Sequence, residues 1–498
     1  MKKAIVFPYN KMIADKLEFL IAKELPYTPT SGQHEATKCL AHFLTTSTQE
    51  TAFILHGYAG TGKTSLVGAL VRTLKRLKRD VVLMAPTGRA AKVFSAHAGL
   101  SAFTIHRIIY RQQTFQGEGT RFSLGFNTHR HAVFIVDEAS MISQGGSGLF
   151  GSGLLLDDLI RYVYEAEGCR LLLVGDTAQL PPVGEEESPA LNKDFISRYG
   201  LSVNTAELTE VVRQGKTSSV LAGATHLRQL ITNGSKSLPR INGSHHGEIR
   251  FLPGDEFIET LISAYSDCGT DDVIVITRSN KRSNLYNSGI RSLIFEREEP
   301  LTRGDIIMAV KNNYHWTERL QEEADGGDAA ATCPMAFIAN GDTAQVVRVS
   351  NVHEQYGFHF ADATLRFTDY GQTQMTCRVL LDTLMSEAPA LTPEQSRRLY
   401  EAVSADYDGV TSRRERMRSV RGDAYYNALQ IKYAYAVTCH KAQGGQWSRV
   451  FVESGWRGAD TGTYLRWLYT ALTRTTGLLY LVNWPKEQRG EKKDEGDA

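Results

Sequence analysis

The chain has 498 residues, of which 42% are hydrophobic and 22% charged, and its net charge is +1. This composition is typical of a globular protein with room for roughly three domains, and it excludes a membrane protein, because no apolar run approaches the ~20 residues of a spanning helix. Near-zero net charge does not by itself indicate a nucleic-acid binder. The apolar stretch at the N-terminus is too short for a signal peptide. Six cysteines without paired spacing fit a reducing compartment, so we expect a cytoplasmic protein.

Residues 57–64 read Gly-Tyr-Ala-Gly-Thr-Gly-Lys-Thr and match the phosphate-binding loop pattern. The apolar run at 52–55 predicts a buried parallel strand before the loop, and residues 65–71 predict a helix after it. Glycines let such a backbone wrap around phosphates, and the helix N-terminus favours their charge. Lys63 is suited to reach the β- and γ-phosphates, and Thr64 is suited to bind Mg²⁺. The sequence therefore predicts a site for ATP and Mg²⁺ at Gly57, Ala59, Gly60, Thr61, Gly62, Lys63, Thr64 and Ser65.

A second apolar strand, at residues 132–136, ends in an adjacent pair of acids, Asp137 and Glu138. Carboxylates at the C-terminal tip of a parallel strand lie where such sheets bind their ligands. Asp137 is suited to hold magnesium, and Glu138 is suited to polarise the attacking water. The pair therefore predicts hydrolysis of the bound nucleotide.

Further predicted strands end in polar segments that follow one another in a characteristic order. The segments are Pro-Thr-Gly-Arg-Ala-Ala-Lys at 86–92, Phe-Thr-Ile-His-Arg at 103–107, Gly-Asp-Thr-Ala-Gln-Leu-Pro-Pro at 175–182, Leu-Thr-Glu-Val-Val-Arg-Gln at 208–214, Tyr-Ala-Val-Thr-Cys-His-Lys-Ala-Gln-Gly-Gly at 435–445 and Tyr-Thr-Ala-Leu-Thr-Arg at 469–474. Together with the loop and the acid pair, this set resembles the motifs of superfamily one helicases. Its wording is similar to the 5′→3′ branch that includes RecD and Dda. The resemblance extends from about Gln33 to Thr476.

The resemblance implies further contacts to the nucleotide. Three side chains would act on the γ-phosphate, with the two arginines as fingers from the second core domain: Gln179, Arg213 and Arg474. Gln33 resembles the glutamine that reads the adenine edge, and its alternative is a helix-capping role. Gly445 and Gln446 correspond to a ribose-binding position. Gln446 stands where many relatives have an acid, although a glutamine can still accept a hydrogen bond.

The resemblance also implies a surface that grips a single strand, opposite the nucleotide. The residues implied are Thr87, Arg89, Thr104, His106, Thr438 and His440. Hydroxyl groups, imidazoles and backbone N–H groups contact phosphates without reading sequence. Lys92 is a further candidate, with a solvent-facing position as its alternative.

Two insertions are predicted between these motifs. Two β-prone arms at about 108–130 flank Gly117-Glu118-Gly119 and predict a hairpin, which in the resembling family forms a wedge. Phe122 is expected to pack, and the role of Phe115 stays open. Alternating strands within 302–427 resemble a small SH3-like barrel, followed by a capped helix and a basic arm. Base stacking and core packing are equally open for Tyr314 and Trp316.

The predicted fold class is α/β, with two RecA-like parallel-sheet motor domains, a small β-hairpin wedge insertion and an SH3-like β-barrel insertion. The predicted boundaries are 1–195 for the first motor domain, 196–301 with 428–485 for the second, 302–427 for the barrel and arm, and 486–498 for a disordered tail. We expect a monomeric ATP-dependent DNA helicase that moves 5′→3′ on single-stranded and forked DNA, with protein partners in repair or recombination. An RNA-directed helicase of the same superfamily and a non-motor ATP-dependent switch remain alternatives.

Overall fold

The computed structural model describes residues 6–46, 50–115, 118–145, 151–212, 218–244, 246–325, 335, 337–455 and 460–490. The strands in the first part of the chain are β1 (Thr51–Gly57), β2 (Val81–Ala85), β3 (Ala102–Thr104), β4 (Tyr110–Phe115), β5 (Glu118–Leu124), β6 (Val133–Val136), β7 (Arg170–Gly175) and β8 (Ser202–Leu208). The helices there are α1 (Val6–Lys23), α2 (Ser31–Thr45), α3 (Lys63–Arg76), α4 (Gly88–Ala98), α5 (Ile105–Ile109), α6 (Leu155–Glu165) and α7 (Lys193–Ser197).

Six of these strands form one parallel sheet, in the order β3-β2-β6-β7-β1-β8. Its central strands are buried on both faces, because two separate apolar clusters cover the two sides. Such strands are continuous apolar runs, as at 52–55 and 133–136. We call this sheet and its helices the first lobe. Because β8 belongs to it, the predicted domain boundary after residue 195 lies too early.

The predicted hairpin is present. Strands β4 and β5 pair antiparallel from Tyr110↔Leu124 to Phe115↔Glu118. Helix α13 (Arg413–Gly422), which belongs to the inserted arm described below, packs against β5. The turn residues 116–117 and the side chains of Phe115 and Phe122 lie outside the described part, so the roles predicted for these two aromatic residues stay predictions.

The remaining strands are β9 (Ile241–Asn242), β10 (Ile249–Leu252), β11 (Val273–Thr277), β12 (Ile306–Ala309), β13 (Thr343–Gln355), β14 (Phe358–Phe367), β15 (Thr373–Leu380), β16 (Leu429–Tyr433), β17 (Ala436–Thr438), β18 (Trp447–Glu453), β19 (Thr475–Val482) and β20 (Arg489–Gly490). The remaining helices are α8 (Ser219–Thr232), α9 (Phe257–Cys268), α10 (Asn280–Leu293), α11 (His315–Asp325), α12 (Pro393–Ala405), α13 (Arg413–Gly422), α14 (Cys439–Ala442) and α15 (Thr461–Leu472).

A second parallel sheet has the order β10-β19-β18-β11-β17 and, with its helices, forms the second lobe. Its strands come from both sides of a long insertion, as predicted. The fold class is therefore α/β with two parallel-sheet lobes. This arrangement places the carboxyl ends of parallel strands, where ligands bind in such sheets, in both lobes.

The insertion forms a closed barrel from β12, β13, β14, β15 and β16. Because β16 completes the barrel, the predicted boundary at 427 is too early by one strand. Helices α12 and α13 follow β15 and form the predicted arm. Trp316 is buried and its Nε1 donates to the Asn427 carbonyl oxygen at 2.9 Å, while the ring of Tyr314 lies 4.7 Å from that of Phe337. Both aromatic residues therefore pack in this conformation.

The end of the chain is ordered further than predicted. Lys486–Gln488 forms a single helical turn, Gln488 is buried, and β20 pairs with β9. The rest of the predicted disordered tail, 491–498, lies outside the described residues. Across the described ranges, no helix is long and apolar enough to cross a bilayer.

Candidate nucleotide and strand-binding sites

The glycine-rich loop connects the carboxyl end of β1 to the first residue of α3, Lys63. Gly60 and Gly62 have φ angles of 76° and 81°, which favour glycine. A Cβ at Gly62 would lie 2.5 Å from Gln33 Nε2, so this position also excludes a side chain for lack of space. Thr61 is fully buried, and Thr64 and Ser65 are half-buried in the first turn of α3. The loop thus has the tight geometry that phosphate binding requires.

The Lys63 ammonium group is held at the mouth of this loop by acceptors of the first lobe. It donates to the carbonyl oxygens of Gly57 and Tyr58, the second at 3.1 Å, and lies 3.9 Å from Asp176 Oδ2. Asp176 follows β7, the strand beside β1. The lysine, the loop and this acid therefore share one edge of the sheet.

Asp137 and Glu138 follow β6, on the far side of β7 from the loop. Glu138 adopts a left-handed conformation with a φ of 52°, which is a strained backbone for a non-glycine residue. Burial and the neighbouring Glu138 carboxylate raise the pKa of Asp137 to about 7. A bound divalent cation would favour its ionised form. Asp137 and the Thr64 hydroxyl group offer the oxygen ligands that Mg²⁺ prefers, and such a site needs few protein ligands when phosphates supply the others.

Gln33 combines two roles at the start of α2. It is the third helical residue of a capping box, because Gln33 N donates to Thr30 Oγ1 and Thr30 N donates to Gln33 Oε1. Its Nε2 also donates to the Thr61 carbonyl oxygen at 3.0 Å. The capping alternative is therefore realised, but at a fully buried residue that supports the phosphate loop.

The segment after β7 connects the two lobes. Leu180 N donates to Thr470 Oγ1 at 2.9 Å, and the Leu180 carbonyl oxygen accepts from Gln443 Nε2 at 2.8 Å. Thr470 and Gln443 belong to the second lobe. Gln179 itself is buried, and its Oε1 has no hydrogen-bond partner among the described residues. An acceptor buried without a partner is costly, and such groups in proteins are satisfied by water or by a ligand.

Of the two predicted arginine fingers, only Arg474 is in the described ranges, since 213–217 lie outside them. Arg474 is buried within the second lobe. Its guanidinium group donates to the carbonyl oxygens of Thr470 at 3.0 Å and Gly445 at 3.4 Å, and to Thr473 Oγ1 at 3.1 Å. In this conformation its contacts are structural, and a role on the nucleotide needs these bonds to change.

Four predicted strand-binding residues lie where parallel strands meet helices. Thr87 lies just after β2, and its hydroxyl group caps α4. Thr104 is the last residue of β3, and its hydroxyl group caps α5. Thr438 ends β17, and its side chain makes no capping bond to α14. His440, in α14, is half-buried, and burial lowers its pKa. These residues thus occupy carboxyl ends of strands in both lobes.

His106 packs between aromatic rings, 5.6 Å from Tyr110 and 5.8 Å from Phe337 between ring centroids. Burial lowers its pKa to about 4, so the imidazole is neutral near pH 7. A cavity of about 320 Å³ lies beside it, between the first lobe and the barrel, and is lined by Thr104, Arg107 and Phe337 among others. If His106 contacts a DNA strand, as predicted from the sequence, it would do so as a neutral imidazole.

Arg89 does not face a free surface. Its guanidinium group lies 4.0 Å from the centroid of the Trp447 ring and donates to the Gln446 carbonyl oxygen at 3.3 Å. Gly445 is in the same contact, because a Cβ there would lie 3.0 Å from Arg89 Nε. The Gly445–Gln446 turn thus packs on the first lobe at α4, and its described contacts do not include the phosphate loop. Lys92, one turn further along α4, pairs with Asp369 of the barrel at 3.0 Å.

Asp176 and Tyr469 are two site residues that motif reasoning left unassigned. The Tyr469 hydroxyl group accepts from Ala59 N of the loop at 2.8 Å and donates to Asp176 Oδ2 at 2.7 Å. Asp176 had the same signal as Asp137, an acid directly after a buried strand. Tyr469 begins the motif at 469–474, but its contact with Ala59 had no local signal, because it joins residues 410 positions apart.

Comparison with known proteins shows two matching family models. Residues 30–238 match the AAA domain, and residues 433–482 match the UvrD-like helicase C-terminal domain. The ATP-dependent RecD2 DNA helicase of Deinococcus radiodurans is 26% identical over 404 residues, which cover 80% of this chain and 42% of that protein. The ATP-dependent DNA helicase dda of Enterobacteria phage T4 is 28% identical over 262 residues, which cover 51% of this chain and 55% of that protein.

Among solved structures, the crystal structure of Pif1 helicase from Bacteroides in complex with ADP-AlF3 and ssDNA is similar at 15% identity. The match covers 94% of this chain and 95% of that one, with a TM-score of 0.45. The chain spans about half the length of the curated RecD2 and dda relatives. With its phosphate loop, its acid pair and its ordered strand-end motifs, the chain is similar to the superfamily one helicases of the RecD and Dda type.

Proposed function

We propose that the chain is an ATP-dependent DNA helicase that moves 5′→3′ on a single strand and unwinds duplex DNA ahead of it. The two relatives, RecD2 and dda, are named ATP-dependent DNA helicases, and the AAA-domain match at residues 30–238 includes the phosphate loop and the acid pair. The direction of movement follows from that likeness and not from the local chemistry, which helicases moving either way share.

The observation that carries the proposal is a double connection between the lobes. At the nucleotide end, Tyr469 and Thr470 of α15 bind Ala59 of the phosphate loop and Leu180. Near the predicted DNA-binding residues, Arg89 in α4 of the first lobe stacks on Trp447, the first residue of β18 in the second lobe. A change at the nucleotide that moves one lobe therefore also moves the strand-binding residues of the two lobes relative to one another.

The proposed chemistry at the nucleotide uses the side chains already described. Lys63 would leave its carbonyl acceptors for the β- and γ-phosphates, and Thr64 with Asp137 would hold Mg²⁺. When bound, the ion would neutralise charge that builds on the phosphates. Glu138 would orient the attacking water, and Gln179, with its unpaired Oε1, would contact the γ-phosphate or that water.

Arginine fingers complete the proposal. Arg474 would release its acceptors Thr470 and Gly445 and turn toward the phosphates as the lobes rearrange, and Arg213 would act as the second finger that the resemblance implies. Such fingers stabilise charge on the transferring phosphoryl group, so hydrolysis and lobe rearrangement would depend on each other.

On the strand side, we propose that Thr87, Thr104, Thr438 and His440 contact phosphates of a single strand. Two of these residues lie at the ends of β-strands in the first lobe and two in the second, so the DNA strand would lie across both lobes. Arg89 would act differently from the sequence-based expectation, as a contact between the lobes. Contacts to phosphates carry no sequence information, so little base specificity is expected.

The test is the ATPase activity of the purified chain without nucleic acid, with single-stranded DNA and with single-stranded RNA, beside a Lys63→Ala variant. The proposal predicts activity that single-stranded DNA stimulates and that the variant lacks. Stimulation by RNA alone would favour the RNA-directed alternative, in which the 2′-hydroxyl group is read. Slow hydrolysis that neither polymer changes would favour the non-motor switch.

A further inference from the structure

The groups of the phosphate loop that would bind phosphates are engaged by the protein's own atoms. Lys63 donates to two carbonyl oxygens of the loop and lies 3.9 Å from the Asp176 carboxylate. Ala59 N, one of the loop's N–H groups, donates to the Tyr469 hydroxyl group. N–H groups and a lysine are what such loops offer to phosphate oxygens.

A single oxygen atom of the second lobe makes this contact. The Tyr469 hydroxyl group accepts from Ala59 N at 2.8 Å and donates to Asp176 Oδ2 at 2.7 Å, and both Tyr469 and Asp176 are about 1% exposed. Burial and the Asp176 charge raise the pKa of Tyr469 well above its ordinary value, so the hydroxyl group keeps its proton. It therefore presents a neutral acceptor to the loop in a place that excludes water.

The second lobe also covers the loop at two neighbouring points. Leu221 of α8 packs on Gly60 so closely that a Cβ there would lie 2.7 Å from its Cδ2. Arg228, also of α8, lies 4.5 Å from the centroid of the Tyr58 ring. Three consecutive loop residues thus contact α8 or α15. The Tyr469 contact is the polar member of this set.

We propose that Tyr469 is a positioning residue that competes with ATP for the phosphate loop, so that nucleotide binding must displace its hydroxyl group. This inference rests on the proposed ATP site and adds the coupling element to it. The tyrosine occupies the N–H group of Ala59 in the loop that would receive the phosphates, and Asp176 lies 3.9 Å from the lysine that would bind them. Only one set of partners can be satisfied at a time.

Displacement of Tyr469 has a direct path to the rest of the motor. Thr470 is the next residue of α15. Its hydroxyl group accepts a hydrogen bond from Leu180 N, and its carbonyl oxygen accepts one from Arg474 Nε. A shift of α15 would therefore move the segment that carries Gln179, and it would carry Arg474 with it, because Arg474 is bonded to the end of the same helix. Nucleotide arrival would be signalled to both catalytic groups through one helix.

The experiment is the affinity of Tyr469→Phe for a fluorescent ATP analogue, measured without DNA and compared with wild type. Removing the hydroxyl group removes the competitor but keeps the ring, so affinity should rise roughly three- to tenfold, as expected for one net hydrogen bond. The KM for ATP without DNA should fall in step. Tyr464→Phe is the matched control, because Tyr464 is buried in the same helix and its hydroxyl group donates to Gln488, so its affinity should be unchanged.

A purely structural tyrosine would give an unchanged or weaker affinity in Tyr469→Phe, and either result would overturn the inference while leaving the ATP site in place. If wild type does not bind the analogue, the ATP site and the inference fall together. Should Tyr469→Phe not fold, Leu221→Ala replaces it: this variant trims the apolar contact on Gly60 and should also tighten binding, and an unchanged or weaker affinity again overturns the inference.

Discussion

Arg89 of the first lobe stacks on Trp447 of the second, with its guanidinium carbon 4.0 Å from the ring centroid. Burial lowers the pKa of Arg89, and the side chain also donates to the Gln446 carbonyl oxygen. These contacts assign the arginine to the interface between the lobes. The resemblance implies contacts from Arg89 to DNA phosphates, and that role stays a prediction.

The two roles of Arg89 predict different salt dependences. Losing one phosphate contact lowers the slope of log affinity against log salt by about 0.7 for a single strand. We expect Arg89→Ala to leave this slope unchanged and to lower the free energy of unfolding by about 1 kcal/mol, the size of a partly buried cation–π contact. Fluorescence anisotropy with a DNA strand over a salt series measures the slope, and Arg397→Ala, in an exposed helix of the arm, is the control. A slope lowered by about 0.7 in Arg89→Ala would show that Arg89 contacts a DNA phosphate.

Glu138→Gln tests the assignment of the hydrolytic base. An amide keeps the shape of the side chain but cannot accept a proton, so turnover should fall about 10²- to 10⁴-fold while ATP still binds. Single-turnover hydrolysis and nucleotide binding measure the two effects separately. Glu186→Gln, on an exposed segment after β7, should leave both unchanged. Turnover close to that of wild type in Glu138→Gln would contradict the assignment.

We expect His440 to contact the DNA strand and to contribute little to the stability of the fold. The half-buried imidazole lies at a strand end of the second lobe, so His440→Ala should reduce DNA-stimulated ATPase more than basal ATPase. His359→Ala, which removes an exposed histidine of the barrel, is the matched control. An equal loss of basal and stimulated activity would indicate that His440 is purely structural.

Asp342 makes the stability of the barrel depend on pH. The Asp342 carboxyl group is buried and accepts from Ala339 N at 2.7 Å and from the Tyr370 hydroxyl group at 3.0 Å. Burial raises its pKa from 3.8 to about 7. Between these values the folded protein holds a proton that the unfolded chain has lost, so this group's contribution to the free energy of unfolding falls as pH rises.

Asp342→Asn removes that titration and keeps an acceptor for both donors. Each pKa unit corresponds to about 1.4 kcal/mol. From pH 5 to pH 8 the free energy of unfolding of the variant should therefore rise, relative to that of wild type, by at least about 1 kcal/mol. Urea unfolding of both proteins at the two pH values measures the difference. Parallel pH profiles would show that the carboxyl group titrates normally.

The sequence predicted the parts of the site that are local in the chain. The loop at 57–64 and the acids after 133–136 have their signals within a few neighbouring residues, and so does the hairpin at β4 and β5. The domain limits at 195 and 427 were each too early, because nothing in the residues of β8 or β16 indicates which sheet or barrel the strand joins. Only their pairing partners decide which sheet they complete.

Contacts between the lobes were beyond the sequence for a physical reason. Asp176 and Tyr469 are 293 residues apart, and Arg89 and Gln446 are 357 apart. Each contact depends on how two separately folded lobes meet, and no local pattern encodes that. Gln33 shows the intermediate case, because its capping box is visible in the sequence but its bond to Thr61 is not.

The proposed function requires that ATP hydrolysis drives 5′→3′ movement on DNA. The most direct test is ATP-fuelled unwinding of two partial duplexes, one with a 5′ single-stranded tail and one with a 3′ tail, beside Lys63→Ala. Wild type should open the 5′-tailed duplex alone, and the variant should open neither. Unwinding of only the 3′-tailed duplex, or of neither by wild type, would contradict the proposed function.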